Sequence, residues 1–119
     1  MDYVWGNNVD KLDKVVKYTK LYSIYKSQLS KTQQAILDDY YFIDLSISEI
    51  AENRNISRAA VEDALSKGTS KLDQLESELK ILEKNEKVLE KLEALKERAL
   101  NYREVKEIEE IEKELDYGI

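Results

Sequence analysis

Proline is absent from all 119 residues of this chain, and glycine occurs only three times. Sheet proteins need frequent turns, and turns draw heavily on both residues. Without proline nothing interrupts a helix by removing a backbone donor. From Ser70 to Asp116 the chain has neither proline nor glycine. The fold expected is all-α, with long helices. Charged residues make up 37% of the chain, against about 25% in a typical domain. Helices of this composition carry wide solvated faces.

Composition also removes whole classes of chemistry. Cysteine and histidine are both absent, so there is no disulfide, thiol nucleophile or serine–histidine pair. A zinc site would have to be built from carboxylates alone, a poor donor set for zinc. Gly6, Gly68 and Gly118 are isolated, so no glycine-rich loop exists to cradle a phosphate. No catalytic residue, metal ligand or cofactor is expected, and the chain does not read as an enzyme. The start, Met1-Asp2-Tyr3-Val4-Trp5-Gly6, lacks the basic and apolar regions of a signal peptide. No run of about 18 uncharged apolar residues is present to span a membrane. A cytoplasmic location without membrane insertion is the expectation.

Charge is graded along the chain. Residues 1–37 carry a net +3, residues 38–72 a net −3 and residues 73–119 a net −6, for a total of −6. An acidic total opposes unaided, non-specific binding to nucleic acid. The basic end is a local exception, with Lys11, Lys14, Lys17 and Lys20 at three-residue steps. On a helix that spacing drifts but leaves a broad basic surface, readable as a solvated flank or as a set of phosphate contacts. On the same helix, which Asn7 or Asn8 can cap, Tyr18, Tyr22 and Tyr25 share one face. Core packing is the ordinary use of such a face, and base stacking the other.

Two capping boxes punctuate the middle of the chain. Ser30-Lys31-Thr32-Gln33 opens a second helix to about Tyr41, packed through Ala35, Ile36, Tyr40 and Tyr41. Asp44-Leu45 reads as a short turn, and Ser46-Ile47-Ser48-Glu49 opens a third helix. Residues 45–67 then carry a helix-turn-helix pattern. Ile47, Ile50 and Ala51 make a buried face, with Ala51 small where two helices approach. Asn55 suits the left-handed conformation of the turn. Ile56 is expected under the turn, Ser57 at the next N-cap, and Val61 and Leu65 on the inner side of the second helix.

If that second helix enters a major groove, its first exposed residues meet the bases. These are Arg58, Ala59, Glu62 and Asp63, with Ala60 at their edge. Arg58 suits guanine or phosphate, and Ala59 a thymine methyl. Glu62 can accept from cytosine N4, yet two adjacent carboxylates repel the phosphate backbone. Arg54 and Lys67 are candidates to hold phosphates, with Lys11, Lys14, Lys17 and Lys20 supplying flanking charge. The alternative use of the motif is as a packing unit without DNA contact.

From Leu72 onward, Leu72, Leu75, Leu79 and Leu82 recur at helical spacing, and Leu89, Leu92, Leu95, Val105, Ile108, Ile111 and Leu115 continue out of phase. The tail is too short and irregular for a long coiled coil. Asn101-x-x-Glu104 restarts a last helix. Gly68 either ends the recognition helix, with Ser70 capping a new one, or lies within a helix that runs straight through. The organisation expected is a helical domain over residues 1–71, containing the helix-turn-helix at 45–67, and an acidic helical extension over 72–119. The extension's leucines must bury on the domain or on a partner such as a second copy. Its acidic face is a solvated surface or a docking site for a basic partner.

The order of these motifs resembles one bacterial family. Leu21 through Ser30, Gln33, Tyr40-Tyr41, Asp44, Ser46 through Glu52, and Asn55-Ile56-Ser57-Arg58-x-Ala60-Val61 are similar to the YlxM-type helix-turn-helix proteins, over about residues 18–95. The helix-turn-helix also resembles region four of sigma factors. The resemblance implies an all-α, sigma region-four-like fold and a role in the signal recognition particle pathway, whose GTPase is usually encoded alongside. This chain departs from the family's usual glutamine at Ala59, aromatic at Glu62 and apolar residue at Arg54. Two functions are expectations on this basis. One is a DNA-binding regulator using Arg54, Ser57, Arg58, Ala59, Glu62 and Lys67. The other is an adaptor acting on the particle's GTPase or RNA without DNA. A homodimer is compatible with either.

Overall fold

Side-chain caps written in the sequence set the helix starts. In the computed structural model, which describes the backbone of residues 3–115 and the side chains of residues 11–115, every element is helical. Helix α1 spans Tyr3–Tyr25 and ends in a 3-10 turn at Lys26–Gln28. It already contains Asn7 and Asn8, so neither starts the helix, and their side chains lie outside the described residues. Helix α2 spans Lys31–Leu37. Gln33 N donates to Ser30 Oγ at 3.1 Å, and Ser30 N donates to Gln33 Oε1 at 3.0 Å, completing the capping box. Helix α3, Ile47–Arg54, starts the same way on Ser46 and Glu49, at 3.1 and 2.8 Å. Each such cap stabilises by about 1 kcal/mol.

Between α2 and α3 the chain widens into a π turn at Asp38–Phe42, closed by Ile43 N donating to Asp38 O at 3.0 Å. The second helix thus reaches past Tyr41, as its pattern implies, but its last turn takes five residues per hydrogen bond. This turn carries Asp39 into the interior and lines up three aromatic rings. Tyr41 meets Tyr18 at 6.0 Å between centroids and Tyr40 at 4.9 Å edge-on, while Phe42 meets Tyr22 at 5.6 Å.

Helix α4, Arg58–Leu79, is the spine. Gly68 lies inside it and is buried. A Cβ at residue 68 would fall 2.8 Å from Leu37 Cδ1. The glycine therefore sits directly against Leu37 of α2, and the helix tolerates it at a cost of about 1 kcal/mol relative to alanine. Helix α4 runs straight through the boundary expected at 71/72, and Ser70 caps nothing. Leu72, beyond that boundary, is fully buried with Leu21, Tyr22, Tyr25, Leu29, Leu37 and Leu82. A second cluster, Ile36, Ile50, Ala51, Val61 and Ala64, holds the helix-turn-helix. Leu65 packs against both clusters.

The helix ends at Lys80, which is left-handed at φ 55° and ψ 34°. The next helix, α5 over Ile81–Glu97, starts at once, and a carboxylate from α4 caps it. Glu76 Oε1 accepts from Leu82 N at 3.1 Å and Glu76 Oε2 from Glu83 N at 3.0 Å. Tyr25 Oη donates to Glu76 Oε1 at 2.7 Å and accepts from Ile81 N at 3.3 Å. Helix α6, Tyr102–Glu114, starts on Asn101, whose Oδ1 accepts from Glu104 N at 2.9 Å. It folds back on α5, and Lys96 joins them at 3.2 Å from Glu112, with Glu93 and Glu109 alongside. The molecule measures 57 × 37 × 27 Å with a radius of gyration of 17.8 Å, well above the roughly 13.5 Å expected of a rounded domain this size. The α5–α6 hairpin therefore projects.

The junction makes stability sensitive to alkali. Burial, and then the hydrogen bond to the Glu76 carboxylate, push the Tyr25 phenol up to about 12. Burial also raises Tyr22 and Tyr41. The folded state prefers the neutral phenols, so this stability is intact below the unfolded tyrosine value of about 10 and is lost as pH rises through 12. Urea unfolding from pH 8 to 12 should show a level region and then a fall. Tyr25→Phe should show a shallower fall than the parent over the same window. Lys80→Gly, which removes the left-handed penalty at the junction, should raise the unfolding free energy by up to about 1 kcal/mol.

Candidate nucleic-acid interface

The turn between α3 and α4 is closed by backbone chemistry the sequence encodes. Asn55 takes the left-handed conformation, at φ 56° and ψ 48°. Its N–H donates to Glu52 O at 3.3 Å, and Ile56 N donates to Ala51 O at 3.0 Å. Ser57 then caps α4, its Oγ accepting from Ala60 N at 3.0 Å. Ile50 and Val61 are fully buried and hold the two helices together. Ile56, expected beneath the turn, is instead 37% exposed. The turn is closed by its hydrogen bonds, and the side chain is left at its surface.

Arg58, Ala59, Glu62, Asp63 and Lys67 are all exposed along α4. Lys67 Nζ lies 3.2 Å from Asp63 Oδ2 one turn earlier, and both side chains are mostly solvated. Such a pair is worth well under 1 kcal/mol, so it does not hold the lysine back from a stronger anion. Arg54 is different. Its guanidinium forks onto Asp39, with Nε to Oδ2 at 2.6 Å and Nη2 to Oδ1 at 3.1 Å. Asp39 is 6% exposed. Arg54 thus neutralises a carboxylate that the π turn has carried inward, and that bond raises the guanidinium's own affinity for its proton. It positions the turn and is not a spare cation for a phosphate.

The lysine stripe of α1 divides likewise. Lys17 reaches Asp73 at 3.0 Å and Lys20 reaches Glu86 at 3.0 Å, tying α1 to α4 and α5. Tyr18 Oη adds a 2.8 Å bond to Asp73. The bond to Asp73 holds Lys17 above the ordinary lysine value. Lys11 and Lys14 are exposed on the outer part of α1. The four lysines do not act as one phosphate-facing row.

The structure sets Lys67 among residues that the sequence did not mark as binding residues. Gln28, Gln33, Ser66, Lys67, Ser70, Lys71 and Gln74 line a groove of about 350 Å³ beside α4. None of the seven is acidic, in a chain whose net charge is −6. On α4 the groove takes Ser66, Lys67, Ser70, Lys71 and Gln74, while the one acid of that stretch, Asp73, pairs with Lys17 of α1. Chemically, the groove offers two ammonium groups, three amides and two hydroxyls, a set suited to phosphate and sugar oxygens.

If Asp39 is the reason for Arg54, removing the arginine strands a buried carboxylate. Arg54→Leu should cost about 1–3 kcal/mol in urea unfolding. The same change in an Asp39→Asn background should cost much less. Equal costs in both backgrounds would show the pair to be incidental.

Comparison with known proteins bears on the same segment. A family model described as "Putative helix-turn-helix protein, YlxM / p13 like" matches residues 12–113. A UPF0122 protein of Fusobacterium nucleatum is 44% identical over 69 residues, covering 58% of this chain and 67% of the relative. A UPF0122 protein of Malacoplasma penetrans is 47% identical over 60 residues, covering 50% of this chain and 56% of the relative. The UPF0122 protein YlxM of Bacillus subtilis is 33% identical over 97 residues, covering 82% of this chain and 88% of the relative. The chain thus spans between half and two thirds of the length of the first two, and most of the third.

Proposed function

The chain belongs to the UPF0122 family of YlxM- and p13-like helix-turn-helix proteins, and from that membership we propose that it is a regulatory protein that contacts duplex DNA through α4. The observation that carries this reading is the acid-free groove running on from the exposed start of a well-capped recognition helix. Arg58 would meet a base edge or phosphate, and Ala59 a thymine methyl. Lys67 and Lys71 would hold the backbone, with Gln28, Gln33 and Gln74 as neutral donors. Arg54 acts indirectly, by fixing the turn. A regulatory role in the signal recognition particle pathway and a sigma region-four-like mode of docking are part of this proposal, and rest on the resemblance in motif order alone.

One observation favours a second reading. Glu62 and Asp63 stand side by side on the outward face of α4, where they repel a phosphate backbone. In that reading the chain is an adaptor on the particle's GTPase, and α4 meets a basic surface of that protein.

Fluorescence anisotropy with duplexes from upstream of the protein's own operon tests the first reading, at 50 and 200 mM salt. Binding should weaken with salt. Arg58→Ala should weaken it about 5- to 100-fold on the preferred duplex. Lys67→Ala and Lys71→Ala should weaken all duplexes alike and lower the salt slope by about one each. No binding to any of these duplexes at 50 mM salt, with capture of the particle's GTPase lost in Glu62→Lys/Asp63→Lys, would replace the first reading by the second.

A further inference from the structure

The α5–α6 hairpin keeps an apolar groove on its outer side. Leu95, Ala99, Leu100, Ile108 and Ile111 make its floor, with a volume of about 390 Å³. Leu95 is 47% exposed, Ile111 49% and Leu100 89%. Val88, two turns before Leu95 on α5, is exposed as well. Single exposed apolar residues are ordinary, whereas a contiguous apolar groove marks a contact.

The rim shows what fits. Arg98, at the end of α5, stands on the groove together with Glu104 and Glu107 of α6. Glu104 is occupied in capping, its Oε1 accepting from Leu100 N at 3.0 Å. Glu107 is largely solvated, 3.6 Å from Arg103. A groove with rims of one sign would select a partner of the other sign. A groove that carries a cation and an anion beside one apolar floor is complementary to itself about a two-fold axis. We propose that this groove is the seat of a second copy of the chain. Two hairpins pack face to face as a four-helix bundle, with Arg98 of each copy against Glu107 of the other and Leu95, Leu100 and Ile111 buried between them. Among the described residues, the contacts of α1 with α5 lie near the start of α5, at Lys20–Glu86 and around Leu82, away from this groove. The dimer leaves both helix-turn-helix segments exposed and does not rest on their binding DNA.

Sedimentation equilibrium of the full chain from 1 to 100 μM tests it. The parent should be a dimer at the upper end. Leu95→Glu should raise the dissociation constant at least about tenfold, as loss of a central apolar contact does. Arg98→Glu and Glu107→Arg should each weaken self-association, because each places like charges together twice. An equimolar mixture of these two variants should associate more tightly than either alone, since both contacts in the mixed dimer join opposite charges. Circular dichroism of each variant separates lost association from lost fold. A parent that stays monomeric to 100 μM overturns the proposal. So does a dimer indifferent to Leu95→Glu, or one whose charge variants do not complement on mixing.

Discussion

The contact between Leu37 and the bare backbone of α4 at Gly68 leaves no room for a side chain between α2 and α4. Leu37 is completely buried, and any side chain at 68 would have to displace it. This approach brings α2 down onto α4 between the two apolar clusters, so the cluster under α1 and the cluster inside the helix-turn-helix share Leu65 and behave as one core. The angle and depth of the recognition helix are then set from behind, by packing against α2. The turn at Asn55 only has to close. That division suits Ile56 lying at the surface, because nothing beneath the turn needs filling.

Where the sequence was informative, the information was local. A capping box satisfies helix-end donors within four residues, so Ser30, Ser46 and Asn101 could be read directly. Asn55 was legible because few residues accept a left-handed backbone. The misleading signals were those whose meaning depends on something distant. Gly68 could be read as a terminator or as part of a continuous helix, and it is a packing surface within one, a distinction that depends on Leu37, far off in sequence. Lys80 gives no local sign of a helix end. Its left-handed conformation is held because Glu76 and Tyr25 take up the first N–H groups of α5, and Tyr25 is more than fifty residues away. The π turn was invisible for the same reason, since burying Asp39 makes sense only when Arg54 arrives to neutralise it.

The candidate interface divides along the same line. The residues of the recognition helix were legible from the motif, because a helix-turn-helix fixes which positions face outward. Their roles were less so. Arg54, Lys17 and Lys20 are cations by sequence, and on that ground all were candidates for phosphate. Each has a carboxylate within the fold, at Asp39, Asp73 and Glu86. Lys71 was overlooked beside the buried Leu72, although it lines the acid-free groove.

These pairings recast the charge gradient. A basic start and an acidic end look like two advertisements to outside partners. In the fold part of that gradient is spent internally, because α1 runs against α4 and α5, and lysines from the first third meet carboxylates from the last. Individually such pairs stabilise by no more than about 1 kcal/mol. Their larger effect is on specificity, since amphipathic helices could pack on α1 in several registers, and the Lys17–Asp73 pair favours one for α4 and the Lys20–Glu86 pair one for α5. What remains outward after this cancellation is more selective than the totals suggest. A groove lined by no acid remains on α4, Glu62 and the Lys67-paired Asp63 stand on its outer face, and a rim of mixed sign remains on the hairpin. Net charge governs long-range attraction, but recognition depends on these residues, and they are set by which charges the fold has already paired.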